Sequence, residues 1–132
     1  MFSEFDEYLK LEFLPDYWSD EGAVIASAML SKFSGQDWRN LVEQYYSRLH
    51  AWQIRCAEVL DSVHHPASKD ILIGLLASES DDVVVAAADS LRSMGDATLT
   101  SESVERLKKL SVQGSAPVRA VLEIFLNRRG AA

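Results

Sequence analysis

The sequence is poor in the features that define several protein classes. It has a single cysteine, Cys56, so no disulfide can form within the chain, and a reducing cytosol is favoured. Its apolar runs are short, such as residues 83–88, and none approaches the roughly 20 residues that cross a bilayer. Its first residues, 1–7, are acidic and lack the basic start of a signal peptide. We therefore expect a cytoplasmic protein that does not bind membranes.

Motifs for catalysis and cofactor binding are also missing. We find no nucleophile paired with a base and no glycine-rich phosphate loop, so no reaction class is supported. The adjacent histidines His64 and His65 would point to different sides, and no third ligand is nearby in the sequence. We interpret them as the end of a helix. The sequence thus predicts no enzyme activity, no cofactor and no metal site.

Basic residues are few and unevenly placed. The chain has 13 Lys and Arg against 20 Asp and Glu, a net charge of −7. Residues 1–37 carry −6 and residues 78–103 carry −5, whereas residues 104–132 carry +4. The C-terminal bases, Lys108-Lys109 and Arg128-Arg129, could bind phosphate or form a solvated face, and we favour the solvated face. This balance disfavours nucleic-acid binding and suits a basic protein partner.

Helix signals cover the whole chain, and no strand pattern is found. Residues 1–37 predict a helical pair: a first helix stopped at Leu14 by Pro15, a loop over 16–20, and a second helix over about 21–33 with Asp20 as its cap. Asp37 is the expected N-cap of a helix over about 38–49. Further helices are predicted over about 51–63, 67–78, 82–94, 101–112 and 116–128. This makes about eight helices in one domain of 132 residues.

A local pattern repeats along these helices. Residues 54–60 align with residues 85–91 and, more weakly, with residues 118–124, at offsets of 31 and 33 residues. Such a period is typical of stacked helical hairpins, here 38–63, 67–94 and 101–128. The stacking positions Ala57, Leu60, Ala88 and Leu91 should then be buried. We also assign Trp38 and Trp52 to the core, because both lie on helices with apolar spacing.

This pattern resembles HEAT-type repeats. In that family the second helix of a hairpin often carries an apolar residue, an arginine, a small residue and a leucine, which match Ile54-Arg55, Ala57 and Leu60. Val118-Arg119 also match, whereas Ala86 stands where an arginine is expected. The resemblance covers about 38–128. An irregular helical bundle is the alternative fold.

The HEAT resemblance implies an all-α, right-handed α-solenoid whose second helices line a concave inner face. That face would bind a protein, and it would carry Arg55, Glu58, Asp82, Asp89 and Arg92. Other functions within the resemblance are a structural adaptor and a nucleic-acid-processing enzyme. The enzyme would need a basic inner face, and this one is acidic.

A second resemblance is to small bacterial immunity proteins. It rests on Asp37-Trp38 and on Trp52-Gln53-Ile54-Arg55, which follow an acidic, aromatic N-terminal pair of helices. Proteins of this kind bind and neutralise a toxin delivered by neighbouring cells. The resemblance implies a basic toxin domain as partner, which would be occluded while Asp81 and Asp82 mimic the phosphates that it binds.

Two surface features are candidate partner-binding sites. The cluster of Glu79, Asp81, Asp82 and Asp89 is either a docking strip for a basic partner or helix capping with solubility. Tyr17 and Trp18 lie in the predicted loop between Asp16 and Asp20. They are either an exposed interface anchor or side chains packed under the N-terminal helices.

Overall fold

All regular secondary structure in the described part of the chain is helical. The computed structural model describes residues 1–94, and beyond them only Glu105 and Lys109, which are helical and exposed. The elements are α1 (Phe2–Leu9), α2 (Pro15–Tyr17), a π-helical turn (Trp18–Gly22), α3 (Ala23–Leu30), α4 (Gly35–Gln44), a 3₁₀ turn (Tyr45–Ser47), α5 (His50–Leu60), α6 (Pro66–Leu75) and α7 (Asp81–Ser93). Since α2, the π-helical turn and α3 are continuous, they form one of six helices, and no strand occurs among these residues. The all-α prediction is confirmed there, whereas the predicted hairpin 101–128 lies outside the described residues.

The N-terminal pair differs from its prediction in one segment. The first helix ends at Leu9 instead of Leu14, and the expected loop over 16–20 is helical. Pro15 occupies the first position of α2, and Leu14 before it is extended, with φ −66° and ψ 142°. Proline at this position starts a helix, because its missing N–H would have no partner there and its φ is already helical.

Helix α4 begins before its predicted start at Trp38. Ser34 is the N-cap, and its hydroxyl accepts a hydrogen bond from the backbone N–H of Asp37. In return the Asp37 carboxylate accepts the backbone N–H of Ser34 at 2.9 Å, which completes a capping box. Its other oxygen accepts the N–H of Phe2 at 3.0 Å. Asp37 therefore stands three residues after the cap, and it also fastens α1 to α4.

The later helices agree closely with the sequence. Pro66 lies in the first turn of α6, whose N-cap His65 accepts the N–H of Ala67 on its side chain. Ser80 caps α7 by accepting the N–H of Val83. The valine run 83–85 is helical, as expected despite its strand propensity. Capping groups and proline thus determine these boundaries locally.

The helices contact one another in two rows. One row is α1, α4 and α6, and the other is α3, α5 and α7, with α5 between α3 and α7. All four expected stacking residues, Ala57, Leu60, Ala88 and Leu91, are buried, which confirms that prediction. Trp38 and Trp52 are also buried, as expected. The arrangement places α5 and α7 side by side, and this pair carries the candidate site.

None of the helices in the described ranges is both long and apolar enough to cross a membrane.

Candidate functional site

A groove runs between α5 and α7. Its volume is about 550 Å³. Side chains from both helices line it, and they are Ile54, Glu58, Asp61, Asp82, Val85, Ala86, Asp89, Ser90 and Ser93. On each helix these residues recur three or four positions apart, so each set occupies one helical face. We refer to this feature as the acidic groove.

The repeat register explains why these residues meet. Ile54 and Val85 are equivalent at the 31-residue offset, and so are Glu58 and Asp89. Both members of each pair line the groove. A buried hydrogen bond of 2.5 Å also joins the two helices, from the Ser90 hydroxyl to the carbonyl oxygen of Ala57. The groove is therefore a surface shared by two copies of the same local pattern.

The groove combines carboxylates with an apolar strip. Four acids line it, while Ile54, Val85 and Ala86 supply the apolar contacts, and no lysine or arginine is among its lining residues. Asp89 forms an ion pair with Arg92, which is three residues further along α7. No ion pair within the described part of the chain neutralises Glu58, Asp61 or Asp82. The groove thus presents net negative charge beside apolar surface.

Glu58 is a groove carboxyl group whose pKa departs from its ordinary value. Burial, the largest influence, raises the pKa of Glu58 above its ordinary value. A hydrogen bond from Trp18 and the positive charge of Arg55 act in the opposite direction and are weaker. Loss of water disfavours the ionised carboxylate, so a cation that enters the groove would stabilise the charged form.

Arg55 does not face the groove, contrary to its assignment to the inner face. Its guanidinium donates hydrogen bonds to the carbonyl oxygens of Leu9 at 2.9 Å and Leu11 at 2.5 Å. It also lies over the rings of Phe13, at 4.8 Å, and Trp18, at 5.6 Å. Arg55 therefore joins α5 to the N-terminal helical pair, because carbonyl groups left open after α1 accept its N–H groups.

The aromatic pair that was predicted to lie in a loop is part of a helix, and only one member is exposed. Trp18 is 8% exposed, so its packing under the N-terminal helices is confirmed and its use as an exposed anchor is wrong. A Cβ atom on Gly22 would lie 2.7 Å from the Trp18 ring, so the indole occupies the space that this glycine leaves. Tyr17 is exposed and stacks on Phe13 with 5.4 Å between ring centroids.

Only two of the four acids in the predicted docking strip line the groove. Asp82 and Asp89 line the groove, whereas Glu79 and Asp81 are exposed but are not among its lining residues. Sequence reasoning missed Asp61 as a groove residue. The spacing of Ile54, Glu58 and Asp61, at i, i+4 and i+7, was the available signal, since residues so spaced share a helical face.

His65 and Cys56 are of residue types that bind metals, and both side chains pack against other residues of the protein. His65 stacks on Trp38 with 4.4 Å between centroids, and Cys56 is fully buried, which raises the pKa of its thiol. Within the described ranges, no group of three or more His, Cys, Asp or Glu side chains is placed to hold a metal ion.

Comparison of the chain with protein-family models, with curated proteins and with solved structures gives no match. Function is therefore inferred from the groove.

Proposed function

We propose that this chain is a HEAT-like helical-repeat module that binds a basic protein partner in the acidic groove, and that it acts as an immunity protein. In this role it binds a toxin domain and covers the surface with which the toxin binds its target. The single observation that carries the proposal is a groove lined by four carboxylates and an apolar strip, with no lysine or arginine among the lining residues.

Two features of the helix packing support the HEAT-like part of the proposal. The helices form two rows, and successive hairpins add one helix to each row, as in a solenoid. Ile54 and Val85 occupy equivalent positions of neighbouring hairpins and share one groove. A repeat architecture accounts for this coincidence, because stacking of similar hairpins brings equivalent positions side by side.

The chemistry of the groove supports a basic protein as the partner. An arginine or lysine side chain has an aliphatic stem and a charged end. The stem would contact Ile54, Val85 and Ala86, while the cation would pair with Glu58, Asp61 or Asp82. A polyanion such as DNA would be repelled by the same carboxylates, so the groove disfavours the nucleic-acid-processing alternative.

The first experiment measures the partner and its binding rates. The partner is recovered from the native cell with the tagged full-length chain, identified, and purified. We expect one basic protein whose association slows as salt is added, because screening weakens electrostatic steering. Asp82→Lys should slow association about tenfold at low salt, since it reverses a charge inside the groove. Asp81→Lys is the matched control: the neighbouring residue is exposed but outside the groove, and its effect should be clearly smaller.

The second experiment tests neutralisation. Expression of the identified partner alone should arrest growth of a host cell. Co-expression of this chain should restore growth. Asp82→Lys should restore growth less well than Asp81→Lys. A partner that binds both variants equally and ignores salt would contradict the groove. A partner that binds in the groove but does not harm the host would contradict the immunity role while leaving the binding role in place.

A further inference from the structure

A second surface combines exposed apolar side chains with carboxylates. It lies on the continuous segment formed by α2, the π-helical turn and α3. The buried side of this segment carries Trp18, Gly22, Ala26 and Leu30, four residues apart. Four large apolar residues of the same segment and its N-cap are instead exposed, among them Leu14 at 78% and Val24 at 65%; the four are Leu14, Tyr17, Val24 and Ile25. We call these four residues the N-terminal stripe.

Acidic residues surround and interrupt the N-terminal stripe. Asp16, Asp20 and Glu21 lie on the same segment, and Glu12 precedes it; all four are exposed. Between Lys10 and Lys32 the sequence contains no lysine or arginine. Lys10 itself is held by Asp6 at 3.3 Å and by Glu7 at 3.3 Å. The charged residues between positions 10 and 32 are therefore all acidic, and Arg55, over the rings of Phe13 and Trp18, is a cation beside them.

This charge restricts what can cover the stripe. A second copy bound face to face would bring two sets of these four acids together, which is unfavourable. Nucleic acid and anionic membranes would be repelled for the same reason. A basic amphipathic helix fits both parts of the surface. Its apolar residues, spaced at i, i+3, i+4 and i+7, would contact the stripe, and its flanking lysines or arginines would meet the acids.

We propose that the N-terminal stripe is a second docking site, which takes a basic amphipathic helix of a protein partner. The site is separate from the acidic groove, because α5 lies between α3 and α7. It offers exposed apolar side chains along one helical segment and its N-cap, whereas the groove offers carboxylates between two helices. The stripe therefore selects an amphipathic helix, and the groove selects a projecting basic side chain.

The test uses the full-length chain and a synthetic helix as the probe. The peptide has about five helical turns, a leucine face and a lysine face. Its binding to the ¹⁵N-labelled protein is followed by chemical-shift mapping, and its affinity by fluorescence anisotropy. We expect the largest shifts at residues 14–25. The double variant L14S/V24S should weaken binding about tenfold, because it removes the two most exposed apolar contacts.

Matched variants and peptides distinguish binding at the stripe from binding in the acidic groove and from general attraction between opposite charges. Val42→Ser, an exposed apolar residue on α4, and Asp82→Asn in the acidic groove should leave peptide affinity unchanged. A peptide with glutamates in place of the lysines, and one with the same composition in scrambled order, should bind at least about tenfold more weakly. Circular dichroism of L14S/V24S should match that of the wild type, because both residues are exposed.

Several outcomes would overturn the proposal. These are no binding of the lysine peptide, equal binding of the glutamate or scrambled peptide, and shifts centred on residues 54–61 and 82–93. Sedimentation that shows self-association lost in Val24→Ser would make a second copy the occupant. Binding to neutral phosphatidylcholine vesicles that Val24→Ser abolishes would make a lipid surface the occupant.

Discussion

Arg48 holds Asp6 through two hydrogen bonds that connect residues 42 positions apart. The guanidinium Nε lies 2.8 Å from one carboxylate oxygen of Asp6, and a terminal nitrogen lies 2.9 Å from the other. The indole N–H of Trp52 donates to the backbone carbonyl of Asp6 at 3.3 Å. Burial raises the pKa of the Asp6 carboxyl, but Arg48 and Lys10 lower it by more, so it lies below its ordinary value. This pair fixes α1 against the beginning of α5.

Replacement of Asp6 by asparagine should therefore destabilise the protein. The change keeps the side-chain shape but removes the charge that Arg48 requires, and it leaves a largely buried guanidinium without its counter-ion. We expect the free energy of unfolding to fall by about 2–4 kcal/mol in a denaturant titration. Glu7→Gln is the control on the same helix, since Glu7 is exposed and forms its ion pair with exposed Lys10. A similar loss in both variants would show that general helix charge, and not the Arg48 contact, is responsible.

The contribution of Asp6 should also depend on acidity. Because the folded-state pKa is lowered, the ionised form stabilises the fold above the ordinary aspartate pKa, and this stabilisation is lost as the pH falls through the folded value. The difference in unfolding free energy between wild type and Asp6→Asn should thus be constant above about pH 5 and shrink below about pH 4. Asp37, whose pKa is also lowered, is present in both proteins, so the difference isolates Asp6. A difference that does not change with pH would contradict this assignment.

Leu60→Ala tests the packing of the repeat. Leu60 is completely buried at a position that the repeat alignment assigns to hairpin stacking. Its truncation should cost about 2–5 kcal/mol of unfolding free energy, as core leucine truncations do. Leu49→Ala is the matched comparison, because Leu49 is 82% exposed and should change stability by less than about 0.5 kcal/mol. Equal effects at the two leucines would disprove the assigned packing of α5.

Gly74→Ala tests a close approach between α6 and the 3₁₀ turn. A Cβ atom at Gly74 would lie 1.9 Å from the Tyr45 hydroxyl oxygen and 3.0 Å from the ring carbon that carries it. The tyrosine must therefore move, and we expect a loss of about 1–3 kcal/mol, as for overpacked cores. Tyr45→Phe in the same protein should recover part of the loss, because it removes the nearest atom. A double-mutant cycle by thermal or chemical unfolding measures this coupling, and strict additivity would contradict the contact.

Glu58→Gln should separate binding from stability. The pKa of Glu58 is raised in the folded protein, so ionisation of this group opposes folding as the pH rises through the folded value. The glutamine variant should hence be as stable as the wild type at neutral pH, or slightly more so. Its association with the basic partner should nevertheless be weaker, because one groove carboxylate is gone. Calorimetric unfolding and partner titration measure the two effects, and a less stable variant would contradict the direction of the shift.

The local signals in the sequence were sufficient for the later helices and for their core. Pro66 and Ser80 begin α6 and α7 through contacts within three residues, so the boundaries were readable without the fold. The 31-residue offset identified Ala57 and Ala88 as equivalent and buried, because a helical repeat fixes which face points inward. The apolar residues of α5 are not confined to one stripe of the helix, as expected of a helix with neighbours on more than one side, and α3 and α7 flank it.

Helices, repeat offset and negative charge could thus be obtained from the chain alone. Helix signals are local, the offset follows from comparing segments of the sequence, and the charge follows from composition. The set of acids that share the groove could not, since the rotation of α5 against α7 places Asp61 inside it and Asp81 outside. Helix packing likewise turns Arg55 to Leu9 and Leu11, and it buries Trp18. The Arg55 contacts join residues more than 40 positions apart. Their partners, like the acids that share the groove, are selected by the docking of whole helices, which no local pattern specifies.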